Sequence, residues 1–183
     1  VMTARRRRIL DAALRLALRL GPRATTMEAV AREAQVAKPT LYGYFRDKEA
    51  VFEGVAAAVV AEMARAVDRA FDTGADTPAR VGSALAAKHR AAARLLGASP
   101  HAGALRDFGH LLAPLARFEQ DLEARIAAEL ADAGIARPRQ LAQLVIAAAD
   151  GVGRRATSPA EIGPAVRLVA ERLLRPELDA ARD

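Results

Sequence analysis

Lys38, Thr40, Tyr42, Tyr44 and Lys48 lie in one stretch, Val36 to Phe52, whose chemistry differs from the rest of this 183-residue chain. It holds both of the chain's tyrosines, two of its three lysines and two of its five phenylalanines. Ammonium and hydroxyl groups at this density suit an anionic polymer. Lysine neutralises phosphate, Thr and Tyr hydroxyls bond phosphate oxygens or base edges, and Pro or Thr carbon can touch a thymine methyl.

These groups need a frame of helices. Alanine and leucine are abundant and β-branched alternation is lacking, so nearly the whole chain reads as helix. A first helix is predicted from about Thr3 to Leu20, with Ile9, Ala13, Leu16, Ala17 and Leu20 at helical spacing and Gly21-Pro22 as its stop. A short second helix runs from about Thr26 to Ala34. Thr25 or Thr26 can cap it, and Thr25-x-x-Glu28 has capping-box spacing. The third begins near Pro39, whose fixed φ suits a first turn. Lys38, preceding the proline, is placed in the turn. Two short helices joined by a tight turn, followed by a longer helix, describe a helix-turn-helix.

Within the third helix, Leu41 and Phe45 share the core face. Thr40, Tyr42, Gly43 and Tyr44 occupy the remaining arc, with Lys38 and Pro39 at its start. Lys48 opens the fourth helix, where a cation joins free backbone N–H groups to make a phosphate site. Phe45 and Phe52 are read as core, whereas Tyr42 and Tyr44 are read as DNA contacts.

The charge distribution supports this. Residues 1–48 hold 11 Lys and Arg against 4 Asp and Glu, a balance of +7, and residues 49–183 hold 17 against 18. Excess positive charge confined to one quarter of the chain marks a polyanion-binding module. Arg5, Arg6, Arg7 and Arg8 form either an arm on DNA phosphates or in a minor groove, or a solvated first turn. Attachment to an acidic membrane through them fits poorly with the polar second and third helices. No apolar run approaches the ~20 residues of a membrane span, no secretory signal is visible, and a cytoplasmic location is expected.

Thr26-Met27-Glu28-Ala29-Val30-Ala31, followed by Ala34-Gln35-Val36-Ala37-Lys38-Pro39-Thr40-Leu41-Tyr42-Gly43-Tyr44-Phe45-x-x-Lys48-Glu49-Ala50-Val51, resembles the DNA-binding domain of the tetracycline-repressor (TetR) family over about 45 residues. The resemblance implies backbone contacts from Thr26, Tyr42, Tyr44 and Lys48, and base contacts from Lys38, Pro39 and Thr40. Gln35 stands where the family usually has a turn glycine, so its backbone is either less strained than normal or accepts ~1 kcal/mol. Ala37 replaces the usual capping serine, a loss of ~1 kcal/mol.

The implied organisation is all-α: a three-helix DNA-binding domain over 1–48, joined to a larger helical effector-binding and dimerisation domain over 49–183, about nine helices in all. The fourth helix should reach about Phe71. Further helices are expected at 78–97, 100–112, 114–133, 138–154 and 159–175, with a break at Pro114. The last two carry apolar stripes, Leu141, Leu144, Val145, Ala148 and Val152 on one and Ile162, Val166, Val169 and Leu173 on the other. These are assigned to a homodimer interface, the use the family makes of its last helices. By the same resemblance the middle helices would hold an effector pocket, for which residue type nominates His101, Arg106, Phe108, His110 and Phe118.

The other chemistry is thin. With no cysteine there is no disulfide or thiolate chemistry. The three histidines lack i, i+3 or i, i+4 spacing, so no metal site is expected. No phosphate loop, G-x-S-x-G or carboxylate pair appears, so neither catalysis nor a cofactor is expected. The chain is expected to be a sequence-specific transcriptional regulator, a repressor released from a palindromic double-stranded DNA operator by a small-molecule effector. An effector-independent architectural DNA-binding protein, or a helical carrier or enzyme, are the alternatives.

Overall fold

The computed structural model describes residues 3–72, 75–97, 99–102, 109–156 and 158–181, without the side chains of 109–112 and 159. Eight helices and no strand are found among the described residues. They form two compact units, Val1–Ala61 with Leu96–Ala116, and Glu62–Leu95 with Arg117–Asp183.

In the first unit, α1 (Ala4–Leu20) starts at Thr3, whose hydroxyl accepts the Arg6 N–H at 3.2 Å. Ile9, Ala13, Leu16 and Ala17 are buried, as the stripe predicts. Gly21 ends the helix at φ +85°, a conformation glycine takes without penalty. The wholly buried Thr25 donates its hydroxyl to the Gly21 carbonyl at 3.0 Å. Thr26 caps α2 (Met27–Glu33), its hydroxyl accepting the Ala29 N–H at 3.2 Å. The capping box suggested for Thr25 and Glu28 does not form, because Thr25 turns inward to satisfy a carbonyl at the end of α1.

The turn after α2 answers the question posed by Gln35. It takes φ +55°, the one non-glycine residue with positive φ among those described. The Val36 N–H returns to the Ala31 carbonyl at 3.0 Å and closes the helix end. The left-handed conformation is accepted at a cost rather than avoided.

α3 (Lys38–Tyr44) starts one residue before the expected proline. The Leu41 N–H bonds the Ala37 carbonyl at 3.1 Å, which makes Lys38 the first helical residue rather than part of the turn. The bias of a pre-proline residue against the helical region is outweighed once that first turn closes. Ala37 provides no side-chain cap, as its identity dictates.

Asp47 then accepts the Ala50 N–H at 2.7 Å and opens α4 (Lys48–Phe71). Gly54 lets α4 lie close to its neighbours: a Cβ there would stand 2.8 Å from Leu10 and 3.1 Å from the Phe45 ring. Leu41, Phe45, Val51, Phe52 and Val55 complete this core. The boundary expected at 48/49 is where α4 begins, and the first unit runs further along it, to Ala61.

The second unit contains 62–71 of α4, most of α5 (Thr77–Leu96), 117–132 of α6 (Gly109–Asp132), α7 (Pro138–Arg155) and α8 (Pro159–Ala180). Pro114 does not break the chain as expected but lies within α6. It sits in the early turns, and the buried stripe Leu122, Ile126 and Leu130 secures the helix beyond it. Likewise α8 carries Pro164 and Pro176 and continues past the expected end at 175, its face of Val166, Ala170, Leu174 and Leu178 buried throughout. Most of the helix expected over 100–112 lies outside the described residues.

Candidate nucleic-acid interface

α3 presents two opposite faces. Leu41 is fully buried and Phe45, just after the helix, is 5% exposed. Tyr42 and Tyr44 are 44% and 37% exposed, and Lys38, Pro39 and Gly43 are exposed beside them. Thr40 is half-buried. A seven-residue helix with large polar rings turned outward and one leucine turned inward is anchored on one side and offered on the other. Lys38, Pro39, Tyr42 and Tyr44 are thus exposed around the arc of α3 that Leu41 does not occupy.

Lys38, Lys48 and Arg6, all expected contact residues, have partners inside the chain. Lys38 Nζ lies 2.5 Å from Glu28 Oε1 in the first turn of α2. That ion pair lowers the Glu28 carboxyl and raises the Lys38 ammonium from their ordinary values, chiefly through the hydrogen bond between them. The half-buried Lys48 donates to the main-chain carbonyls of Pro22 at 3.3 Å and Arg23 at 3.1 Å. It therefore ties the start of α4 to the α1–α2 loop as well as placing a cation there. Arg6 stacks its guanidinium over the Phe45 ring at 5.1 Å, a cation–π contact, while Arg5, Arg7 and Arg8 are exposed. The four arginines are thus not equivalent: Arg6 is held against the core and the other three are displayed.

Thr26 is exposed, and its oxygen caps α2 while its O–H can still donate outward. The pairing of Glu28 with Lys38 and the two loop carbonyls on Lys48 are what sequence reasoning missed. Ten residues separate Glu28 from Lys38, and only the crossing of α2 and α3 brings them together.

Residues 9–55 match the family of bacterial regulatory proteins named tetR. That segment is similar to the DNA-binding domain of the TetR family. The matched region takes in α1 from residue 9 onward, the capped α2, α3 and the start of α4, so it contains the exposed face just described. The chain is also similar to the HTH-type transcriptional regulator YhgD of Bacillus subtilis (strain 168), 37% identical over 68 residues. That match covers 37% of this chain and 36% of the relative's length. Among solved structures, a TetR-family regulator, SCO4454 of Streptomyces coelicolor, superposes with a TM-score of 0.75 at 19% identity, over 97% of this chain and 92% of that one. A transcriptional regulator from Rhodococcus sp. Rha1 gives 0.74 at 19% identity, over 99% of both. The all-helical TetR fold therefore extends beyond the DNA-binding domain.

Of the effector candidates, His101 and Phe118 have described side chains. The His101 ring lies against Gly21 at the end of α1, 3.4 Å from where a Cβ would stand, and the His101 main-chain N–H donates to the Ser99 hydroxyl at 3.1 Å. Its position in the first unit is explained by packing on α1. Phe118 is buried in the second unit. Arg106, Phe108 and the His110 side chain lie outside the described residues. A groove of about 450 Å³ opens on α7 and α8, beside Ala148, Gly151, Val152 and Ala165, with Arg155 and Glu161 as its polar groups. Neither His101 nor Phe118 lines it.

The proposed interface stripes divide. Val145, Ile162 and Val166 are buried within the chain itself, so they hold its own helices together and cannot offer a dimer surface. Leu144 and Leu168 are 53% and 57% exposed, and Leu141, Ala148, Val152, Val169 and Leu173 are half-buried.

The second unit also holds a charged cluster that sequence patterns do not signal. Lys88 on α5, 4% exposed, bonds Asp150 of α7 at 3.0 Å and lies 3.5 Å from Glu119 of α6. His89 Nε2 lies 3.1 Å from the same Asp150 oxygen. Burial alone would raise the Asp150 carboxyl, but His89 and the Lys88 ammonium outweigh it and hold it at about 2.

Proposed function

We propose that this chain is a TetR-family transcriptional repressor that binds a pseudo-palindromic DNA operator as a homodimer and is released by a small-molecule effector. The observation that carries the reading is the divided α3: Leu41 is buried while Tyr42 and Tyr44 stand exposed, on a segment with a balance of +7. An α-helix fits the major groove, where hydroxyl and ammonium groups find base edges and flanking phosphates. In this reading Lys38, Pro39 and Thr40 face the bases, and Thr26, Tyr42, Tyr44 and Lys48 face the backbone. Arg5, Arg7 and Arg8 would add phosphate contacts.

Dimerisation is supported by apolar surface with no cover in the monomer. Leu144 on α7 and Leu168 on α8 are over half exposed, and an apolar groove opens on the same helices. Pairing these helices with a second copy would bury both leucines and set two α3 helices about one DNA turn apart, ~34–36 Å. The effector would act by favouring a conformer with another spacing, and only to the extent that it binds that conformer better. Among the described residues no helix is long and apolar enough to cross a membrane, and the work proposed here belongs in the cytoplasm. Selection of bound duplexes from a random pool tests the reading. An inverted repeat with half-sites about ten base pairs apart is expected, and enrichment of no sequence would overturn it.

A further inference from the structure

Glu28 and Lys38 face each other where α2 meets α3, 2.5 Å apart, and both side chains are more than half exposed. An ion pair so open to water adds little to folding, so its effect is to be sought at the surface it occupies. Two other acids of the segment are disposed differently. Glu33 bridges to Arg15 and Arg19 of α1, and Asp47 caps α4. Glu28 alone among these three is paired to a residue of the exposed helix.

The pairing constrains what Lys38 can do. In the free protein its ammonium is neutralised by Glu28. DNA that takes Lys38 must displace Glu28 and leave a carboxylate next to a polyanion. A phosphate oxygen offers only one negative charge in exchange for another and repels the freed carboxylate. The O6 and N7 acceptors of guanine take an ammonium without adding a formal charge beside Glu28.

We propose that Glu28 is a specificity-determining residue: it keeps Lys38 from binding phosphate indiscriminately and gives it up to a guanine edge in the operator. The idea rests on the DNA-binding reading above. A carboxylate here lowers affinity for all DNA and lowers it least where a guanine is correctly placed. The pair therefore exchanges affinity for selectivity.

Glu28→Gln tests this with no change of size, on an exposed side chain whose loss spares the core. Binding of the full chain is measured by fluorescence anisotropy on its selected operator and on a random duplex over a range of salt. The variant should bind the random duplex about five-fold more tightly and the operator no more than about two-fold more tightly, so the specificity ratio falls. The salt slope on random DNA should steepen by about 0.9, the increment for one further phosphate contact. In a Lys38→Met background the same substitution should give no comparable gain. An equal gain there would mean that Glu28 acts by general repulsion and would sink the proposal. Weaker operator binding by Glu28→Gln would make Glu28 itself a DNA contact and would also overturn it. If the wild-type chain selects no duplex, the DNA-binding reading fails and takes this one with it. If it selects an operator and Glu28→Gln keeps the same ratio, only the present inference fails.

Discussion

The Lys48 ammonium lies 3.1 Å from the main-chain carbonyl oxygen of Arg23, in the loop that leads into α2. One lysine therefore links the loop before the helix-turn-helix to the helix after it. It also keeps a positive charge beside the amide-rich start of α4, where phosphate is favoured.

Lys48→Ala should accordingly show two effects. Binding should weaken by about five- to ten-fold on operator and random DNA alike, with the slope of log K against log salt flatter by about 0.9. The fold should lose about 1 kcal/mol, because two carbonyls lose a charged donor. Anisotropy and denaturant unfolding measure the two separately. Lys38→Ala, by contrast, should change which sequences are preferred.

Gln35 sits at φ +55° with an exposed side chain, so its identity matters mainly through the backbone. Gln35→Gly should stabilise the protein by about 0.5–1 kcal/mol: relief of left-handed strain exceeds the extra freedom gained by the unfolded chain. A higher midpoint in denaturant with an unchanged slope is the expected result.

Gly43 has no atom within 4 Å of where a Cβ would be, so nothing inside the chain requires glycine there. Gly43→Ala should raise stability by up to about 1 kcal/mol through helix propensity. If the backbone at Gly43 lies close to the groove wall, the same change should weaken operator binding several-fold. Stability and affinity moving in opposite directions would identify the glycine as a functional choice.

These cases show how far the sequence could be read. Periodicity was enough for α1, because Ile9, Ala13, Leu16 and Ala17 report one buried face directly. It was enough for the two faces of α3, since a core side and an exposed side differ in residue type. It failed at Pro114 and Pro176, where the local cost of proline is outweighed by apolar burial along the rest of the helix. It also could not tell which apolar stripe serves which purpose. Val145 and Leu144 are adjacent and similar, yet one is fully buried and the other 53% exposed. The Glu28–Lys38 and Lys88–Asp150 pairs were illegible for a related reason: each joins different helices, and pairing between helices leaves no periodic trace.

Asp150 gives a pH prediction. Its carboxyl is held at about 2, below the ordinary value of 3.8, through His89 and Lys88, with Glu119 also facing the lysine. A depressed carboxyl stabilises the fold above its unfolded value, and that contribution is lost as pH falls from about 4 towards 2. Allowing for partial exposure it amounts to roughly 1–2 kcal/mol. Asp150→Asn should lower stability at neutral pH by about that amount, leaving Lys88 with Glu119 as its remaining acid. It should also flatten the acid limb of the stability curve between pH 4 and pH 2, measured by denaturant unfolding at each pH.

The central claim is that the exposed face of α3 reads DNA while its buried face only holds the fold. The most direct measurement is an anisotropy titration of the selected operator with wild type and with the double variant Tyr42→Ala, Tyr44→Ala, together with denaturant unfolding of both. Both rings are well exposed, so the unfolding midpoint should barely move. Operator affinity should fall by at least about ten-fold, the loss expected when two polar contacts to the duplex are removed. Equal affinity in the two proteins, with the fold intact, would contradict the account.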